Sequence, residues 1–426
     1  MPLLTRSPII RGDPSLLIAQ DTALGWIIFG PTPAEVTLKL VTHLVTANTD
    51  EILRKFWEIE DISTSRSLTT EEKECNAHYV ATTVRREDGT YQVRLPFKKG
   101  CHPLGDSKSV ALKRFYQMER RLSRNSDLKR QYCAFMEEYI HLGHLQMIDL
   151  TDEPPVTNDR KYCLPHHCFM KEASTTTKLR VVFDASAKST SGVSRNDQLM
   201  IGPVIQEELF AILTRWRIHV VPICADIKQM YRHIWMHPED CNYQRVLWRE
   251  SPSLPLKENR ALTVTYGEAS APFQAVRTLH QLAQDYEVRY PAAATVLRRD
   301  VYMDDCITGE STPAQAIALQ KELMHLMEEA RFTLRKWSSS LSAVLETLPE
   351  ELRETQLPFQ FNENDSIKAL GLYWNPATDE FKFTVQPMSD QTVTKRSTIS
   401  QIARVFDPLG LISPVTVRGK LLMQEL

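Results

Sequence analysis

Two adjacent carboxylates, Asp304 and Asp305, stand inside the run Val301-Tyr302-Met303-Asp304-Asp305-Cys306-Ile307, whose other residues are those of a buried strand-turn-strand hairpin. Neighbouring carboxylates repel and are costly to desolvate, so their place in such a run calls for a neutralising cation. A second strand-like run, Val220 to Ile227, puts another acid, Asp226, near its end. Three carboxylates can hold two Mg²⁺ ions, with Mn²⁺ as the expected substitute. Mg²⁺ takes oxygen ligands and shares its sphere with substrate phosphates. A pair of such ions about 3.5–4 Å apart clamps the attacking and leaving oxygens of a phosphoryl transfer.

A Tyr-x-Asp-Asp string arises by chance in a chain of ordinary composition, so the order of the surrounding signals carries more weight. Leu179-Arg180-Val181-Val182-Phe183-Asp184-Ala185-Ser186 comes first, followed by Ala225-Asp226-Ile227 through Tyr231 and by Tyr243-Gln244-Arg245. Tyr302-Met303-Asp304-Asp305, Leu334-Arg335-Lys336-Trp337 and Phe406-Asp407-Pro408-Leu409-Gly410 complete the series. In these residues the chain resembles reverse transcriptases, specifically the Pol polyprotein of Pao/BEL-type LTR retrotransposons.

The resemblance implies an α+β right-hand polymerase fold, fingers and palm, with an antiparallel palm sheet. It implies RNA-directed DNA polymerase activity, with RNA template, DNA primer-template duplex and dNTPs as partners. Asp226, Asp304 and Asp305 would be catalytic and would hold the metals, with the backbone carbonyl of Ile227 as a further ligand. Arg180 would contact the incoming nucleotide, suited by a planar, always charged guanidinium that can stack on a base and pair with phosphates. Lys178, Tyr302 and Met303 join it on the substrate side, Tyr231 would lie under the incoming sugar, and Lys336 would protonate the pyrophosphate leaving group. Leu370-Gly371 would grip the primer backbone, where a glycine permits close approach. One departure stands out: retroviral enzymes carry glutamine before the glycine at Gly267, and this chain has Tyr266.

These elements need a large scaffold. A chain of 426 residues with 42% hydrophobic content can bury one, and its length suggests two to three domains or subdomains. Residues 1–47 resemble the tail that follows a retropepsin domain, as though a protease core were lost; 48–89 read as a helical linker, with Thr69 and Glu72 as a capping box. Residues 90–375 read as fingers and palm, and 376–426 as a thumb-like or connection start, with RNase H expected to be absent; within them Pro272 to Tyr290 and Thr394 to Phe406 read as helices, Ile367 to Trp374 as a strand and Glu346 to Glu354 as a solvated acidic insertion. No run approaches about 18 apolar residues and Met1 to Arg11 makes no signal peptide, so no membrane contact and an intracellular protein, cytoplasmic or nuclear, are expected. The 8 cysteines lack dense spacing and read as free thiols.

The net charge of −2 is not that of a basic nucleic-acid binder, but Lys113, Arg114, Arg120, Arg121, Arg124, Lys129 and Arg130 cluster on one predicted helical stretch. That cluster suits a phosphate-contacting face or a solvated helix equally. Asp21-Thr22-Ala23 superficially suggests an aspartic-protease loop, but no glycine for a flap occurs between Gly30 and Gly89. Cys163, His166, His167 and Cys168 suggest zinc, yet a structural site needs four converging ligands and adjacent histidines on a strand face opposite ways. Two other classes stay open: an idle relic that only binds nucleic acid or a partner, and a palm-fold nucleotidyl cyclase. The cyclase gives no role to Arg180 or to Leu370-Gly371. Oligomeric state is not legible.

Overall fold

The computed structural model describes residues 18–22, 25–29, 67–148, 160–170, 179–354, 367–369, 372–382 and 407–425, in two compact units, 1–67 and 68–426. Lys178, Leu370, Gly371 and the helix expected over 394–406 lie outside the described residues, as does most of the first unit. In that unit, β1 (Ile18–Thr22) and β2 (Gly25–Phe29) pair as an antiparallel hairpin, with Asp21 opposite Trp26.

The second unit opens with α1 (Thr70–Thr82). Its start is the expected capping box: Thr69 accepts from the Glu72 amide, and the Glu72 carboxylate accepts from the Thr69 amide. β3 (Val84–Arg85) and β4 (Tyr91–Val93) follow. Two amphipathic helices, α2 (Lys108–Ser123) and α3 (Ser126–His141), bury Phe115, Met118, Leu122, Leu128, Tyr132, Met136 and Tyr139 on their facing stripes. Their basic residues lie on the outer faces, but four find partners within the protein: Lys108 with Glu258, Arg114 with Asp184, Arg130 with Asp127, and Arg121 with the Cys168 carbonyl. β5 (Leu145–Met147) leads on to the hairpin β6 (His166–Met170) and β7 (Leu179–Phe183), which pairs His166 with Phe183 and Phe169 with Arg180.

A short α4 (Arg195–Gln198) and α5 (Leu209–Trp216) precede β8 (Val221–Ile227). A 3₁₀ turn, Met230–His233, links β8 to β9 (Ile234–Met236), which pairs parallel to β4. β10 (Arg245–Trp248) and β11 (Lys257–Ala261) form a three-stranded sheet with β5. The helix expected over 272–290 is α6 (Ala271–Asp285), and a second helix not expected from the sequence, α7 (Pro291–Arg299), follows it. Pro291 explains the break, since its fixed φ and missing amide suit a first turn and not an interior. β12 (Val301–Tyr302), β13 (Asp305–Glu310), α8 (Pro313–Glu328, capped by Thr312) and β14 (Leu334–Ser339) complete the central part.

The central sheet has the order β12-β13-β8-β14, every pair antiparallel. β8 is its middle, and six of its seven residues are buried, as a strand covered on both faces requires. One core joins α6, α7 and α8 to this sheet, and a second fills the space between α2, α3, the β6-β7 hairpin and β10. The acidic stretch 346–354, expected as a solvated insertion, keeps Glu346, Glu350 and Glu351 exposed but is anchored: after α9 (Ser342–Glu346), Leu348 is buried and the Glu354 amide donates to the Trp337 carbonyl. The single strand expected over 367–374 is a hairpin, β15 (Ile367–Ala369) and β16 (Leu372–Asn375), extended by β17 (Glu380–Lys382). Trp374 packs edge-on against Trp216 at 4.9 Å, tying this small sheet to α5. α10 (Ser413–Glu425) ends the described chain. The fold is mixed α+β, built from several small sheets.

Candidate active site

The site lies where β8 ends and β13 begins. Asp226 and Asp305 are paired across the two strands, and the Ile227 amide donates to the Asp304 carbonyl at 2.7 Å, so the backbone itself brings the three acids to one sheet end. Between β12 and β13 the chain reverses at Met303, whose φ of +56° is uncommon for a side-chain-bearing residue. Its amide donates to the Gln206 side chain at 3.2 Å, which ties the turn to the segment before α5. Tyr302 stands opposite Asp305 and packs with Trp216 and Ile307 in a small apolar cluster.

The electrostatics are those of crowded acids. Burial, then the Asp304 and Asp226 charges, push the Asp305 carboxyl up to about 7. Asp304 stands at the open mouth, wetted on one side and hemmed by protein on the other; that crowding, then Asp226, pushes it up too, while Arg180 and Lys336 oppose the shift. Arg180 is exposed on β7, and its charge is felt at Asp304. Tyr231, in the 3₁₀ turn beyond β8, feels the same Asp304: burial first and then that charge raise its phenol to about 12. Its ring meets Tyr266 edge-on at 6.5 Å. Tyr266, where retroviral enzymes have glutamine, is therefore a packing partner of Tyr231 in this chain.

The residue that sequence reasoning missed is Arg335. Its Nε donates to Asp226 Oδ1 at 3.0 Å, while Lys336 Nζ donates to Oδ2 at 3.3 Å. Consecutive strand residues face opposite sides of a sheet, so alternation would send only one of them to the acid. A bulge decides otherwise: the β14-β8 register shifts between Arg335 and Ser338, and Lys336 takes φ +53°. The doubled cation in Leu334-Arg335-Lys336-Trp337 is the sequence trace of it.

Whether these residues suit the expected metals is answered in two parts. The donor set is right, since oxygen ligands with elevated carboxyl pKa values gain most from a hard cation. The set is not preassembled: among the described residues no group of three or more His, Cys, Asp or Glu is arranged to hold a metal, and both Asp226 oxygens are engaged by cations. The suggested zinc run is used up in packing. His166 is buried, bonded through Nδ1 to the Tyr132 hydroxyl and through Nε2 to the Leu247 carbonyl at 2.8 Å, and burial lowers it to about 4.

The loop after β11 supports the site from behind. Gly267, at φ +101°, lies against the Phe183 carbonyl, where any side chain would collide. The Asn196 side chain donates to the Gly267 carbonyl at 3.0 Å and accepts from the Ala269 amide at 2.9 Å. Beneath it, Arg195 and Glu268 form an ion pair with both side chains fully buried.

With this geometry in view, comparison with known proteins is informative at the C-terminal end. Residues 394–426 match the family described as the Pao retrotransposon-like RNaseH-like domain. Over this stretch the chain is similar to Pao-type retrotransposon proteins. The Pao match falls on the stretch read from sequence as a thumb-like or connection start, and within it the structure places α10. No curated protein matches. Among solved structures, a mutant of the prototype foamy virus protease-reverse transcriptase aligns over 68% of this chain and 31% of its own length, at 10% identity and a TM-score of 0.38. Among the described residues no helix is long and apolar enough to cross a membrane.

Proposed function

We propose that this chain is the reverse-transcriptase part of a Pao-type Pol protein, an RNA-directed DNA polymerase whose palm is the β12-β13-β8-β14 sheet and whose fingers carry α2, α3 and the β6-β7 hairpin. The observation that carries the reading is the register of Asp226 with Asp305 and the Ile227–Asp304 backbone bond, which gather the three acids at one edge. Asp226, Asp304, Asp305 and the Ile227 carbonyl would hold two Mg²⁺, or Mn²⁺ in their place. When bound, these ions would supply charge stabilisation for nucleotidyl transfer to a primer 3′-hydroxyl. The chain's own groups do the rest. Arg180, whose charge is felt at Asp304, would contact the dNTP triphosphate or base. Tyr231 would lie beneath the sugar, where its ring excludes a 2′-hydroxyl. Lys336, bonded to Asp226, would protonate the leaving pyrophosphate. Lys178, Met303 and Tyr302 on the nucleotide side, and Leu370-Gly371 on the primer, are assigned by resemblance.

The grip of Arg335 and Lys336 on Asp226 favours a second reading, a relic that binds nucleic acid without catalysis. Primer extension on an RNA template with dNTPs and Mg²⁺ separates the two. The polymerase extends the primer, and the relic binds the duplex and leaves it unextended.

A further inference from the structure

Tyr231 is held from both sides by one helix that lies outside the palm. On the backbone side, its flanking residues are tied to α3: Glu138 Oε1 accepts from Arg232 Nη1 at 2.8 Å and from Gln229 Nε2 at 2.9 Å. Arg232 is 5% exposed, and its guanidinium lies 4.3 Å over the Tyr139 ring and 5.1 Å from that of Phe135, so α3 supplies an aromatic cage as well as the counter-charge. Gln229 sits at φ +49°, a strained conformation for a side-chain-bearing residue, at the point where the chain leaves β8 for the turn that carries Tyr231. On the ring side, the contacts run from Tyr139 to Phe183 at 6.0 Å, from Phe183 to Tyr266 at 5.7 Å, and from Tyr266 to the Tyr231 ring at 6.5 Å. Two independent routes, one ionic and one aromatic, thus leave neighbouring residues of α3 and meet at Tyr231.

Building on the polymerase reading, we propose that Arg232 and Glu138 are positioning residues for sugar discrimination, with α3 setting the height of the Tyr231 ring under the incoming nucleotide. For a buried arginine, the half-exposed carboxylate mainly offsets the cost of desolvating the charge. The pair also fixes a geometry, because a planar fork stacked between two rings and bonded to an acid has one low-energy placement. Steric exclusion of a 2′-hydroxyl depends on the ring's placement on the scale of an ångström, the scale on which active-site misplacement changes rates most. Lysine at 232 would keep the charge and lose both fork and stacking. Tyr266 belongs to the same device, which gives a use to the residue that departs from the retroviral glutamine.

The test compares incorporation efficiencies of one ribonucleotide and the matching deoxyribonucleotide on one RNA template, for wild type, Arg232→Lys, Glu138→Gln, Tyr231→Ala and Tyr231→Ala combined with Glu138→Gln. Glu138→Gln changes a half-exposed helix side chain and keeps the test alive should Arg232→Lys fail to fold. The expected result is a several-fold to about tenfold rise in the ribo-to-deoxyribo ratio in each single variant, with no further rise when Glu138→Gln is added to Tyr231→Ala. A folded, active Glu138→Gln with the wild-type ratio overturns the positioning role and leaves the polymerase reading standing, as does a rise that persists without the Tyr231 ring. Failure of the wild type itself to extend the primer overturns both.

Discussion

Asp305 carries a consequence that can be measured without any substrate. Its carboxyl, ordinarily ionised above about pH 4, is pushed up to about 7 by burial and by its two acidic neighbours. Between those values the folded chain holds a proton that the unfolded chain has released, so folding stability falls as pH rises through the window. One such group contributes a slope of up to about 1.4 kcal/mol per pH unit. Urea unfolding in chelator at pH 5 and pH 7 should therefore show a larger loss for wild type than for Asp305→Asn, and equal losses would refute the shift. Arg335 gives the complementary expectation. Its partly exposed bond to Asp226 competes with a metal, so Arg335→Gln should tighten Mn²⁺ binding, read by electron paramagnetic resonance, by about fivefold for a pair worth about 1 kcal/mol. Weaker binding would mean that Arg335 helps to build the metal site.

At the scale of elements, the three acids were legible because each interrupts an apolar strand, and pairing of β8 with β13 brings strand ends together. The cations on Asp226 were not legible, because they depend on a bulge and on Lys336 at φ +53°, which no periodicity announces. Pro291 could have marked the break between α6 and α7, since proline at a first helical position is a start signal. Arg232 was hidden for another reason: its partners on α3 are distant in sequence, and a lone arginine beside a strand reads as surface. The Gly267 loop tests how tightly elements must approach. Gly267→Ala would force a side chain into the Phe183 carbonyl and an unfavourable φ, and should cost about 1–3 kcal/mol in urea unfolding. A loss below about 0.5 kcal/mol would show that the loop can move away from β7 without penalty.

At the scale of the second unit, the antiparallel sheet gathers the three acids at one end, with Tyr231 in the turn beyond β8 and Arg180 on the β6-β7 hairpin, its charge felt at Asp304. The expected α+β class is observed, and the proposed polymerase hand would give each of these residues work. A global charge of −2 leaves nucleic-acid affinity to local faces such as the exposed Lys113, Arg120 and Arg124, so binding and chemistry should separate cleanly. The decisive measurement is template-dependent dNTP incorporation on a primed RNA by wild type and by Asp304→Asn, with duplex binding followed in parallel. Two-metal polymerisation predicts extension by wild type, loss of extension in the variant by a factor of about 100 or more, and similar binding by both. Extension by Asp304→Asn at the wild-type rate, or binding without extension by the wild type, would contradict it.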